Sequence, residues 1–129
     1  MRWGMFLAAV VLGATYFAPV ASAADKPGKV LRHIVLYKFR DDLTSAQIQE
    51  LIDAFCQLPK KIDTVIGFEH GPNVSHEGKN DGLTYAFVVT FKDEAGRDAY
   101  IKHPAHAEYV KIAVTRRERA VVLDYWAEP

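Results

Sequence analysis

The segment Tyr100-Ile101-Lys102-His103-Pro104-Ala105-His106 gathers one phenol and two imidazoles in a short stretch of chain. A neutral imidazole accepts a proton near pH 7, because its unperturbed pKa is about 6.5. A well-placed base of this kind is worth about 10²–10⁴-fold in rate. A phenol can hold a developing enolate or carbonyl oxygen by hydrogen bonding. His106 is therefore the candidate base and Tyr100 the candidate oxyanion donor. His33 and Tyr85 lie in apolar segments and are candidates to line the same cavity, with His103 as a further ligand-binding candidate. The reaction class that suits such a set is proton abstraction α to a carbonyl, as in an aldol-type cyclisation or a related lyase step.

Each of these residues also has a plain packing role: a core histidine beside Tyr109, a buried tyrosine tied to backbone, a satisfied histidine at position 33. His103 and His106 form an H-x-x-H pair, but zinc needs at least a third ligand. The single cysteine, Cys56, belongs to another helix and reads as a small packing residue. No metal and no cofactor are expected. His70 and His76 flank a polar loop and read as surface residues.

The elements that must position these groups follow from periodicity. Residues 30–39 (VLRHIVLYKF) form the first strand, with Leu31, His33, Val35, Tyr37 and Phe39 on one face and Ile34 and Leu36 on the other. Both faces are apolar at the centre, so the strand is sandwiched between layers. Thr44 and Gln47 form a capping box. Ile48, Leu51, Ile52, Phe55 and Leu58 then recur at helical spacing until Pro59, which is expected to end the helix. A second strand spans about residues 64–70, and a third spans 83–91 (LTYAFVVTF), also apolar on both faces. Asp93 caps a short helix, interrupted at His103-Pro104 because a residue before proline avoids the helical region. Pro104 opens a new helix, on which His106, Tyr109, Val110, Ala113 and Val114 share a face. The last strand covers residues 120–126.

The order β-α-β-β-α-β is the split βαβ arrangement of ferredoxin-like folds, an α+β class with a four-stranded antiparallel sheet. Its two helical layers cover one face of the sheet. Monomers seldom expose contiguous apolar patches beyond a few hundred Å², so a two-fold homodimer packing sheet on sheet, a dimeric α/β barrel, is expected.

The N-terminus has Arg2, an apolar run over residues 5–20 and the small tripeptide Ala21-Ser22-Ala23, the pattern of a cleaved signal peptide over residues 1–23. One domain is then expected over residues 24–129, in the periplasm or secreted. The chain balances 16 basic against 16 acidic residues. That balance argues against nucleic acid as a partner, and against a membrane once the signal segment is removed.

Taken together, His33-Ile34-Val35-Leu36-Tyr37-Lys38-Phe39, the Gly71–Ser75 turn, Val89-Thr90-Phe91, Tyr100–His106 with its H-P-A-H element, and Leu123-Asp124-Tyr125 resemble the stress-responsive dimeric α/β-barrel (Dabb) domain over about residues 31–126. The family includes plant stress proteins and a plant polyketide cyclase. The resemblance implies a pocket tyrosine at Tyr100, a base histidine at His106 and a strand histidine at His33. A second strand histidine of the cyclase falls on Tyr85, where this chain departs. The expected function is thus a barrel that binds a small apolar or aromatic ligand, with a cofactor-independent cyclase-like enzyme as the alternative.

Overall fold

A computed structural model describes residues 28–128; the expected signal segment, residues 1–23, lies outside the described residues. The elements run β1 (Val30–Phe39), α1 (Ser45–Cys56), α2 (Leu58–Lys61), β2 (Val65–Pro72), β3 (Tyr85–Phe91), α3 (Glu94–Lys102), α4 (Pro104–Arg116) and β4 (Arg117–Ala127). They build one four-stranded sheet in the order β2-β3-β1-β4, in which every pairing is antiparallel. β1 and β3 are the central strands, in keeping with their two apolar faces.

Local signals fix the helix ends. The Thr44 side chain accepts from the Gln47 N–H while the Gln47 side chain accepts from the Thr44 N–H, closing the capping box. The Asp93 carboxylate accepts from the Gly96 N–H at 2.8 Å and starts α3. Pro59 does not end the first helix. α1 stops at Cys56, and Pro59 sits instead in the first turn of α2, where its missing N–H has no intrahelical partner to lose.

Alternation along β1 sends Leu31, His33, Val35 and Tyr37 under the helices, where all four are buried. Leu51, Phe55, Phe87, Val89 and Phe91 join them in the core. Phe55 lies flat on Phe87, ring centroids 4.0 Å apart and 2° from parallel. On α4 the buried stripe passes through Tyr109 and Ala113, whereas Val114 is exposed: it lies about 100° around the helix from Ala113. The opposite face of the sheet is not covered. Ile34, Leu36 and Val88 are only half-buried there, and Val121, Leu123 and Tyr125 are exposed. Among the described residues no helix is long and apolar enough to cross a membrane.

Candidate functional site

β4 carries one acidic residue inside its apolar run Val121-Val122-Leu123-Asp124-Tyr125-Trp126, and the strand register shows where it goes. Asp124 stands directly opposite His33 on β1, and both side chains turn toward the helices. The His33 Nδ1 and an Asp124 carboxylate oxygen are 2.7 Å apart, with His33 only 6% exposed. The other Asp124 oxygen accepts from Arg97 Nη1 of α3 at 3.1 Å, and Arg97 also donates to Asp98. An ionised carboxylate is an acceptor only, so it holds the proton on Nδ1 and leaves the Nε2 lone pair available in the neutral ring.

The next ring inward is Tyr100, its centroid 5.9 Å from that of His33 and 4.8 Å from that of His106. Burial, with a smaller contribution from nearby Tyr37, pushes the Tyr100 phenol well above the ordinary tyrosine range. Its hydroxyl therefore keeps its proton and acts as a donor. His106 is half-buried. One of its ring N–H groups donates to the Ile101 carbonyl, while burial first and then the neighbouring His33 lower its pKa below the usual 6.5. At pH 7 it is neutral, with its second ring nitrogen carrying a lone pair. Beyond it the Tyr109 hydroxyl donates to the Tyr37 hydroxyl at 2.9 Å. A cleft of about 100 Å³ opens beside this row between α1–α2 and α4, bounded by Leu58, Ala105 and Tyr109 among others.

The structure thus brings His33, Tyr100 and His106 into one row. His103 stays outside it: its Nδ1 accepts from the Ala105 N–H at 3.0 Å, so the ring caps α4. Tyr85 is also placed elsewhere. It pairs with Tyr37 in the β1–β3 register while His33 pairs with Val89, and four residues along a strand span about 13 Å. The Tyr85 hydroxyl shares a hydrogen bond of 2.7 Å with His70 Nδ1, and His70 Nε2 lies 3.4 Å from Cys56 Sγ. Reading the chain residue by residue overlooked Asp124 and Arg97 as partners of His33, although a lone carboxylate in an apolar strand was a visible signal. Among the described residues no cluster of three or more His, Cys, Asp or Glu is placed to hold a metal.

The lowered pKa of His106 has a consequence for stability. The unfolded chain binds a proton at this ring more readily than the folded protein does, so stability rises with pH across the interval between the two values. The contribution is fully present above about pH 6.5 and is lost as pH falls toward the lowered native value. The thermal midpoint is expected to drop between pH 7 and pH 5, and part of that drop should vanish in His106→Phe. Identical pH profiles for the two proteins would show that the ring is not desolvated.

Comparison with known proteins places this geometry. The stress responsive A/B barrel domain family matches residues 31–127. The chain is 33% identical over 95 residues to stress-response A/B barrel domain-containing protein HS1 of Arabidopsis thaliana, covering 74% of this chain and 87% of that protein. It is 28% identical over 95 residues to olivetolic acid cyclase of Cannabis sativa, covering 74% and 94% respectively. The structure superposes on hydroxynitrile lyase from Passiflora edulis with a TM-score of 0.74 at 26% identity, over 79% of this chain and 96% of that one. It also superposes on a protein of Thermobifida fusca described as dimeric and ferredoxin-like, with a TM-score of 0.67 at 26% identity, over 78% and 93%.

Proposed function

The chain belongs to the stress-responsive A/B barrel domain family, and from that premise we propose that it is an exported, homodimeric barrel module that takes a small apolar or aromatic ligand beside the His33–Tyr100–His106 row. The observation that carries this reading is the buried His33–Asp124–Arg97 relay set against aromatic rings. A core selected for stability alone gains nothing from such a relay, since apolar packing of similar volume is often as good or better. A few fixed polar groups in an otherwise apolar wall are the usual composition of a small-molecule site. The α2–α4 cleft marks where the shell over the row opens. At about 100 Å³ it is below the roughly 300–1,000 Å³ of drug-sized sites, so binding requires the cleft to widen.

The homodimer is supported by the uncovered apolar face of the sheet and by relatives described as dimeric. Export is supported by the signal-type pattern of residues 1–23. The test is a thermal-scan panel of aromatic and polyketide-like compounds against the wild type and Tyr100→Phe. A ligand at 100 times its dissociation constant adds about 2.7 kcal/mol of stability, and Tyr100→Phe is expected to weaken that response. No shift with any compound would sink the binding reading.

A second reading is favoured by the paired states of His106 and Tyr100, one a neutral base and the other a protonated donor. In this reading the protein is a cofactor-independent enzyme of the cyclase or lyase type. His106 removes a proton α to a carbonyl, the Tyr100 hydroxyl donates to the oxyanion that forms, and Asp124 positions His33. Two relatives carry enzyme names of these types, olivetolic acid cyclase and hydroxynitrile lyase.

A further inference from the structure

A larger concavity lies away from the histidine row, on the uncovered side of the sheet. There the loop between β2 and β3 overhangs a groove of about 590 Å³, with Leu36 and Ala86 in its floor and Val74 and Leu83 in its wall. The loop is fixed in place. The Asn73 N–H donates to the Thr84 carbonyl at 2.7 Å, and Asn80 Nδ2 donates to the Leu83 carbonyl at 2.9 Å. Arg119 of β4 donates to both the carbonyl and the carboxylate of Asp81 at 2.6 Å. Gly82 turns the chain at φ +75°, where a Cβ would meet the Lys38 side chain at 3.2 Å. This rigid arm nevertheless holds Val74 80% exposed, an arrangement with no benefit for an isolated protomer.

We propose that the groove is a docking slot for a second copy of this chain, filled by Leu123 and Tyr125 from β4 of that copy. The inference rests on the homodimer reading above and deepens it. Continuity carries it: Leu36 belongs both to the groove floor and to the uncovered sheet face, where it pairs with Ala86 on one side and Val121 on the other. On that face Leu123 and Tyr125 are the most exposed apolar side chains of β4, a supply of apolar groups matched to an apolar slot. A two-fold contact is self-complementary, so the slot occurs twice per dimer and one substitution acts at both.

Sedimentation velocity over a concentration series of the signal-cleaved protein tests the proposal, with circular dichroism to confirm the fold. Val74→Glu leaves the protomer intact because the side chain it replaces is solvated, and it is expected to weaken dimerisation by about tenfold or more, as is Leu123→Glu. Val74→Lys combined with Leu123→Glu is expected to dimerise more tightly than either single variant. If the wild type is a dimer and Val74→Glu dimerises equally well, the slot is refuted while the dimer stands. The slot is refuted equally if Val74→Glu spares the dimer but abolishes the thermal response to an aromatic compound, since the groove would then hold a small molecule. A wild type that sediments as a folded protomer at micromolar concentration overturns both.

Discussion

Replacing His106 by alanine is expected to lower turnover of a carbonyl substrate by about 10²–10⁴-fold, the range over which a positioned general base acts, while the thermal midpoint changes little. The expectation rests on three features of the ring. It is neutral at pH 7 because burial and His33 lower its pKa. One of its nitrogens is anchored on the Ile101 carbonyl, which fixes the orientation of the other. It packs against Tyr100, whose hydroxyl stays protonated and can meet the charge that develops once the proton leaves. Its half-burial limits the packing lost on truncation. Turnover and ligand affinity measured together on the wild type, His106→Ala and Tyr100→Phe separate the two functional readings. Ligand binding without turnover in the wild type identifies a binding module. Turnover that survives His106→Ala removes the ring from the chemistry, and unfolding of that variant returns it to the core.

Phe87→Ala is expected to cost about 3–5 kcal/mol, the usual range for truncating a fully buried aromatic ring. Phe87 is inaccessible to solvent on the central strand β3. It stacks on Phe55 and meets Phe68, Tyr37 and Tyr85 edge-on or offset. Its loss therefore removes the contact that joins α1 to the sheet. For a domain of this size the midpoint should fall by about 12 °C or more. Measurement must be at fixed protein concentration, because dimerisation adds to apparent stability. A cost below about 1 kcal/mol would mean that the aromatic stack is not the centre of the core.

The local pattern of the chain determined which elements form and which way their side chains point. Period-two alternation placed His33 inward on β1, helical spacing placed His106 inward on α4, and Thr44, Asp93 and Pro104 marked the helix starts. These are short-range properties, set by backbone geometry over a few residues. What lies beside each inward residue is a matter of register between strands far apart in sequence, and only the tertiary structure decided it. Register put Asp124 opposite His33, a pairing across 91 positions of chain, and it put Tyr85 opposite Tyr37, out of reach of the histidine row. It also carried β2 past His70 as far as Pro72, at a sheet edge where the missing N–H is tolerated, and gave His70 to Tyr85 and Cys56. A lone aspartate in an apolar strand announces that it has a partner. Which residue that partner is depends on pairing that a one-residue slip would move to the opposite face of the sheet.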